Sequence, residues 1–407
     1  MKRFRRLLFW LHLISGVTAG AVILIMSATG VILALKPQIQ NWVDRDIRYV
    51  TPQPERLGVQ ALLSATKAAR PESAPQSLTL ARDPALAVTV GLGTAGNLYV
   101  NPYTGTVLGS SSVRTSEFFQ SMTNWHRYLA MSGESRATGR SITGISNAAF
   151  LVLAISGLYI WWPRQFTRRA LKPIVWFRQT STGRARDFNW HNTIGFWCLL
   201  PIVIMTMSGV VISYPWASDL VYRVTGSPVP ARGQRAEGWV ARESRGQAAV
   251  MPVELDRIWA RAEAQVPTWS ILTMRLPARE GAPVAFTITD GANWNAFARS
   301  TLTVSSGTGE AVQWQPYERN SLGQKVRGWL RFAHTGELGR LPGQLIAGIG
   351  CLGGVFLVYT GLSLAFRRLW NWTLWTRFGA STARQPRTVS SRLPASSARE
   401  PALDSLE

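Results

Sequence analysis

Four stretches of the chain run for more than twenty residues without Asp, Glu, Lys or Arg: Leu7–Leu35, Ser141–Trp162, Asn189–Trp216 and Leu341–Phe366. As helices, each is long enough to cross a hydrocarbon core of roughly 30 Å. Each carries aromatics at or just past an end, Phe9 and Trp10, Trp161 and Trp162, Trp190 and Trp216, and Trp370, as interfacial belts do. The pattern predicts an α-helical membrane protein with four transmembrane helices. Within the first stretch His12 and Gly30 are eighteen residues apart; five helical turns put them on one face, about 27 Å apart. Gly16, Ala19, Gly20 and Ser27 lie between them on that face. The spacing recurs with His191 and Gly209, whose face carries Gly195, Cys198 and Met205. Small residues leave a trough, and a histidine beside a trough suits a flat cofactor. Gly30 and Gly209 are therefore read as a cofactor-facing groove.

Between the spans the period changes. Residues 37–125 hold a helical pattern, Val59–Ala69, then alternating runs at Ser77–Ala81, Ala87–Gly91 and Leu98–Leu108, the last broken by the turn Pro102-Tyr103-Thr104-Gly105. Residues 217–333 repeat the order: Val253–Gln265, Ile271–Leu276, Val284–Thr289, then Ser300–Trp314 broken at Gly307-Thr308-Gly309. Each reads as a small α+β unit, a helix on a short antiparallel sheet. Each leads into an aromatic-rich helical stretch, Glu117–Met131 with His126 and Tyr317–His334 with His334. The chain thus reads as an internally duplicated unit. The expected segments are a transmembrane helix at 1–36 and an α+β domain at 37–125. A histidine-bearing helix end with the second span follows at 126–163, then a basic loop at 164–188. The third span is 189–216, the second α+β domain 217–333, the fourth span 334–367 and a disordered tail 368–407.

The net charge of +22 would suggest nucleic acid if it were spread over a soluble surface. It is instead concentrated at span ends. Arg164, Arg168, Arg169, Lys172, Arg178, Arg184 and Arg186 follow the second span, and Arg367 and Arg368 follow the fourth. By the positive-inside rule these segments and both termini are cytoplasmic, and the α+β units lie outside. In a Gram-negative cell that means a multi-pass inner-membrane protein with periplasmic domains, contacting lipid and no nucleic acid. The opening MKRFRR resembles a signal-peptide n-region, but the apolar run is too long and no A-x-A site closes it, so it is expected to stay as the first span. The two cysteines, Cys198 and Cys351, fall inside spans and read as small apolar packing.

The chain has four histidines, one per span. His12 and His191 belong to the cytoplasmic ends of spans one and three, while His126 and His334 precede spans two and four on the outer side. A lone interfacial histidine is a polar anchor, but ionisable residues at membrane depth are costly and usually functional. Zinc or copper would want three or four ligands at one level, and each level offers two. Two imidazoles on opposite sides of one plane are the axial ligands of a b-type haem, held without thioether bonds because no C-x-x-C-H is present. The expectation is two bis-histidine haems, His12 with His191 and His126 with His334, with a single haem or none as the alternatives. Six filled iron positions favour electron transfer over oxygen chemistry.

Several pieces together resemble the PepSY-associated transmembrane family. They are His12 with Ala28-Thr29-Gly30, Trp125-His126-Arg127, Ser156-Gly157 leading to Trp161-Trp162-Pro163-Arg164, Trp190-His191 with Ser208-Gly209, and His334-Thr335-Gly336 with Leu341-Pro342-Gly343 and Thr360-Gly361-Leu362. Leu98–Gly109, LYVNPYTGTVLG, is similar to a PepSY hairpin, with an echo at Ser300–Trp314. The resemblance implies two periplasmic PepSY-like domains. It also implies a haem-bearing inner-membrane reductase that passes electrons to ferric siderophores and releases Fe(II). Some relatives carry a flavodoxin- or ferredoxin-reductase-like domain; this chain has no G-x-G-x-x-G on a strand–helix unit. The donor is then a separate protein, a quinol or a soluble flavin.

Smaller signals stay open. Arg127, Arg136, Arg140, Arg331 and Arg340 suit haem propionates, an anionic chelate or headgroups alike. Met122, Met131, Met205 and Met207 read as packing before ligation. Trp239, Trp259, Trp269, Trp294 and Trp314 suit core burial as well as stacking on an aromatic siderophore. Asp187 reads as a helix cap rather than a partner of His191. The alternative function is a non-catalytic PepSY-domain sensor or binding protein of the periplasm.

Overall fold

The structure, a computed structural model, describes residues 2–163, 165–179, 182–231, 254–279, 281–292, 295 and 297–378. The expected tail beyond 378, Arg164, Trp239 and Trp294 lie outside the described residues. The first apolar run forms one helix, α1 (Lys2–Ala34). A short break at Leu35 follows, and Pro37, which has no N–H to lose, sits in the first turn of α2 (Lys36–Val43). The short α3 (Arg45–Arg48) and α4 (Val59–Ala69) come next. After four strands come α5 (Val113–Tyr128), α6 (Arg136–Trp161), and α7 (Arg168–Val175) in the basic loop.

Among the described residues three helices are long and apolar enough to cross a membrane: Arg3–Ala34, Gly133–Trp161 and Glu337–Asn371. The expected third span is not one straight helix. It is α8 (Gly183–Trp197) and α9 (Leu199–Ser213), bent by 67° at the break. Pro201, two residues past the break, removes a backbone donor where the ladder would continue. The opposing helix accepts the bend through glycines: a Cβ on Gly350 would lie 3.0 Å from Pro201, and one on Gly353 would collide with the Cys198 sulfur. Then come α10 (Pro215–Val224), α11 (Leu255–Gln265), α12 (Leu322–Thr335) and α13 (Arg340–Phe378). In the membrane layer α1 packs on α6 and α13, α9 on α6, and α8 on α13. Thus α1 and the bent span stand on opposite sides of a four-membered ring. Ala19, Ile23 and Val358 form its apolar centre, with Phe150, Leu153 and Leu362 against them.

The two α+β regions do not stay separate. Strands β1 (Ser77–Ala81), β2 (Val88–Gly91), β3 (Asn97–Val100) and β4 (Val107–Ser110) come from the first, and β5 (Trp269–Arg275), β6 (Val284–Asp290), β7 (Arg299–Val304) and β8 (Ala311–Gln315) from the second. They join edge to edge as one antiparallel eight-stranded sheet, β4-β3-β2-β1-β5-β6-β7-β8. The seam is β1 with β5, from Ser77 opposite Arg275 to Ala81 opposite Ile271, and Thr79 and Thr273 share a hydroxyl hydrogen bond of 3.0 Å across it. Joining hides two strand edges that would otherwise invite pairing with other chains.

Both helices α4 and α11 lie on one face of this sheet, and a single core runs beneath them. It includes Leu62, Leu63, Ile258, Leu272, Met274, Phe286 and Leu302, with Trp259 and Trp269 buried in it and Trp314 packed against it. Those three tryptophans are therefore structural. Asp256 of α11 accepts the backbone N–H of Gln60 at 3.1 Å, supplying the first turn of α4 with the acceptor its own cap, Gly58, lacks. The other face of the sheet is polar and looks toward the helices of the membrane layer.

Two tight turns return the chain to the membrane layer. After α5, Leu129 and Ala130 both take left-handed backbone (φ 51 and 58), and a Cβ on Gly139 would collide with the Tyr128 carbonyl. After α12, Gly336 is left-handed (φ 73), and a Cβ on Gly343 would collide with the Gly336 carbonyl. Two consecutive non-glycine left-handed residues cost about 1 kcal/mol or more each, so packing of α6 on α5 must hold them. These turns set the depth of His126 and His334, which lie in the last turns of α5 and α12.

Candidate functional site

The fold brings the four histidines together in two pairs. His12 on α1 faces His191 on α8, ring centres 6.3 Å apart and planes at 79°. His126 on α5 faces His334 on α12, again 6.3 Å apart, with planes at 67°. Imidazole centres lie about 1.2 Å from their nitrogens, and a metal–imidazole bond is about 2.0 Å. Two trans ligands of one metal therefore have ring centres about 6.4 Å apart. Edge-to-face stacking alone allows a similar distance, so the hydrogen bonds must decide.

Every Nδ1 is committed. His12 Nδ1 meets Ser156 Oγ at 2.9 Å, and His191 Nδ1 meets Thr360 Oγ1 at 2.9 Å. His126 Nδ1 lies 2.9 Å from the Met26 carbonyl and 3.1 Å from Thr29 Oγ1. His334 Nδ1 lies 2.9 Å from the Met205 carbonyl and 3.1 Å from Ser208 Oγ. A carbonyl can only accept, so the outer rings carry their proton on Nδ1. Thr360 already donates its hydroxyl hydrogen to the Phe356 carbonyl at 2.7 Å, which leaves its oxygen to accept from His191. With its proton on Nδ1 an imidazole carries its lone pair on Nε2, and histidines that bind metals are oriented by such Nδ1 hydrogen bonds.

The hydroxyl partners share a signature. Thr29-Gly30, Ser156-Gly157, Ser208-Gly209 and Thr360-Gly361 each place a glycine just after the hydroxyl. A Cβ on Gly157 would lie 3.3 Å from His12 Cε1, and one on Gly361 3.3 Å from His191 Cε1. A Cβ on Gly30 would lie 3.6 Å from His126 Cε1 and 2.8 Å from the Cys351 sulfur. The glycines thus admit the imidazoles. Gly30 serves the outer pair, not His12 on its own helix. Gly209 differs: its Cβ would meet Asn147 first, at 2.8 Å, and Asn147 donates to the Thr206 carbonyl at 2.8 Å, tying α6 to α9. Ser156, Gly157, Thr360 and Gly361 were visible in the sequence as dipeptides, but nothing there assigned them to a histidine.

Asp187 is not a cap. Thr182 occupies that position, and Asp187 is 1% exposed, one turn before His191. Its carboxylate accepts from Ser363 Oγ at 2.7 Å and pairs with Arg186 at 3.0 Å and Arg367 at 3.4 Å. Ser363 lies one turn after Thr360, so two polar rungs, Asp187–Ser363 and His191–Thr360, join α8 to α13. Met205 contributes its carbonyl rather than its sulfur to a histidine; the sulfur rests 3.8 Å from Cys351. Both cysteines are free thiols.

A cavity of about 1670 Å³ opens on the sheet side of the bundle. His126, His334, Gly30, Gly209, Phe150 and Cys351 line its deep end, and Thr301, Thr303, Gln313 and Gln315 of the sheet's polar face roof it. Neither His12 nor His191 reaches it. Arg127 and Arg140 are among its lining residues. Arg127 lies over the Tyr128 ring at 5.3 Å, and Arg136 lies over the same ring at 4.2 Å. Burial would push the Tyr128 phenol up, but the Arg136 hydrogen bond and the charges of Arg127, Arg136 and Arg140 outweigh it and hold it below its ordinary range. Among the described residues no group of three or more His, Cys, Asp or Glu side chains could hold a metal ion. Among the described residues the histidines come together in twos, with ring centres 6.3 Å apart in each pair.

Long apolar helices, a polar-faced sheet over them and histidines paired at two levels define a multi-helix membrane protein with paired-imidazole sites. The chain belongs to the PepSY-associated TM region family, which matches it from residue 9 to residue 368. No curated protein matches it.

Proposed function

We propose that this protein is a two-haem inner-membrane reductase. In this reading it takes electrons from a donor on the cytoplasmic side and delivers them to ferric siderophores or similar ferric chelates in the periplasm, each Fe(III) gaining one electron and leaving as Fe(II). The observation that carries the reading is the pair of 6.3 Å imidazole separations with all four Nδ1 atoms engaged. His12 and His191 would hold the inner haem b, and His126 and His334 the outer one. When bound, a bis-histidine haem supplies one-electron transfer with no free coordination position.

The chain's own residues do the rest. Ser156 and Thr360 fix the inner rings, and the Met26 and Met205 carbonyls with Thr29 and Ser208 fix the outer ones. Gly30, Gly157 and Gly361 leave room for the imidazoles. The arginines at the cavity rim suit carboxylate groups, and the roofed cavity gives a chelate a place beside the outer pair. The cations of the loop, Arg168, Arg169 and Lys172, with Arg367 and Arg368, support a cytoplasmic inner end, both termini inside and the sheet in the periplasm. Equal spacings also support an ancestral duplication: Met26, Thr29 and Gly30 stand as far from His12 as Met205, Ser208 and Gly209 do from His191. The donor is a separate protein, a quinol or a soluble flavin.

The test is direct. The full-length protein in detergent is reduced with dithionite, freed of excess reductant and mixed with a ferric siderophore over a chromogenic Fe(II) trap. Fe(II) should appear as the haem bands reoxidise; reduced bands that persist with no Fe(II) would refute the activity. The second reading, a non-catalytic periplasmic sensor or binding protein, draws on the missing three-ligand cluster among the described residues. It requires a colourless protein.

A further inference from the structure

We infer that α2, α5, α10 and α12 form a lipid-facing collar in the leaflet on the sheet side of the membrane, and that this collar walls the cavity under the sheet as an aqueous vestibule sunk below the headgroups. The inference rests on the membrane reading of the spans and not on the reductase activity. Each of the four helices has two faces. On α2, Gln40 and Asn41 line the cavity, while Ile39, Trp42 and Val43 are exposed on the far side. On α10, Tyr222 lines it, and Trp216, Leu220 and Val224 are exposed. On α5, Thr123 and His126 line it, with Phe118 and Trp125 exposed. On α12, Arg327 and Gly328 line it, with Leu322 and Trp329 exposed. At about 3.6 residues per turn the two sets fall on opposite sides of each helix.

The outward faces are large and apolar, Trp42 being 66% and Trp216 61% exposed, and exposed apolar patches mark a membrane or a protein contact. Their placement favours lipid. Helix α2 follows α1 after the single residue Leu35, and α10 follows α9 after Tyr214, so both continue directly from the spans. Helix α5 packs on α1 and α12 on α9, and those spans stand on opposite sides of the ring. A second copy of the chain seated on one flank would leave the other bare, whereas an annulus of lipid covers both. Each outward face carries one tryptophan, Trp42, Trp125, Trp216 and Trp329, the residue that the headgroup boundary selects. A helix with one apolar and one polar face lies in that boundary. The inward faces differ in kind. Their amides, hydroxyls and guanidinium groups cannot hydrogen-bond to acyl chains, and the sheet above adds Thr301, Thr303, Gln313 and Gln315. His126 and His334 are therefore reached through water from the sheet side, by a soluble molecule rather than a lipid-dissolved one.

The experiment reads position, not activity. The full-length protein is placed in nanodiscs of phosphatidylethanolamine and phosphatidylglycerol. Nitroxides are attached at Val43→Cys and Leu220→Cys on the outward faces, and at Gln40→Cys and Gly328→Cys on the inward ones; a Cβ on Gly328 would meet nothing within 4 Å. Labelled wild type, whose free thiols Cys198 and Cys351 lie within the spans, supplies the background. Oxygen concentrates among acyl chains and a water-soluble nickel chelate stays outside them, so power saturation with each sorts the sites. The outward labels should collide severalfold more with oxygen than with nickel, and the inward labels the reverse. Outward labels that meet nickel freely overturn the inference by placing the collar in water. Outward labels shielded from both overturn it in favour of a protein partner such as a second copy. Inward labels rich in oxygen and poor in nickel overturn it by filling the cavity with lipid. The unsubstituted protein gives a check free of folding defects. Lipid with a carbene precursor on its acyl chain should label peptides covering residues 39–43 and 216–224, and labelling confined to the long spans would also overturn the inference.

Discussion

Replacing Gly361 with leucine probes the inner pair without touching a ligand. A Cβ at this position would lie 3.3 Å from His191 Cε1, inside the 3.5–4.0 Å at which carbon atoms rest. Alanine alone would push the ring by a few tenths of an ångström, comparable with the ±0.2 Å that ligand distances tolerate. Leucine adds three further carbons where α13 meets α8, and His191 has no slack because its Nδ1 is anchored to Thr360, the neighbouring residue, at 2.9 Å. Overpacking of this kind costs about 1–3 kcal/mol, or roughly five- to 150-fold in affinity. Purified Gly361→Leu protein should therefore hold close to one haem per chain under dilute conditions, with the outer site spectroscopically intact. Pyridine-haemochrome quantitation and a redox titration check this, two components collapsing to one. Wild-type haem content with both components unshifted would mean that the ring is not held against Gly361 by coordination.

Three further outcomes follow from the same geometry. Gly30→Leu should show the reverse selectivity, because its side chain would meet Cys351 and then His126, so the outer component should be lost first in the same titration. Asp187→Asn removes the charge that Arg186 and Arg367 share; since both arginines are about two-fifths exposed, a loss of about 2–3 kcal/mol is expected rather than the 3–5 of a wholly buried pair, read as a lower thermal midpoint in detergent. His126→Ala should leave the inner component reducible by dithionite but abolish Fe(II) release from a ferric siderophore, measured in a stopped-flow trap assay.

Much of this arrangement could be read from the residues, because membrane spans write their own boundaries. The four charge-free runs located the helices, and the four histidines sorted by depth into the pairs that the structure brings face to face. The bend in the third span was not legible: Pro201 is a weak signal in an apolar run, since membrane helices tolerate proline when a neighbour makes room, and that room comes from Gly350 and Gly353, far along the chain. The joining of two sheets at β1 and β5 was hidden for a related reason. Alternation in Ser77–Ala81 and Trp269–Arg275 fixes which face is buried, but says nothing about which edge a strand pairs with. Asp187 was misread because a cap and a buried ion pair look alike near a helix start; only the packing of Ser363 and Arg367 separates them. The hydroxyl–glycine dipeptides were visible but mute, since their histidines lie up to 169 residues away.

The central claim, that the two histidine pairs are haem sites, is tested most directly by counting haem in wild type beside the double substitution His12→Ala, His191→Ala. The account predicts a red wild-type protein with a sharp reduced α-band, two b-type haems per chain and low-spin electron paramagnetic resonance. It predicts one haem, the outer, in the double variant. A colourless wild-type protein, purified from haem-replete cells, or a haem content that the double substitution leaves unchanged, would contradict it.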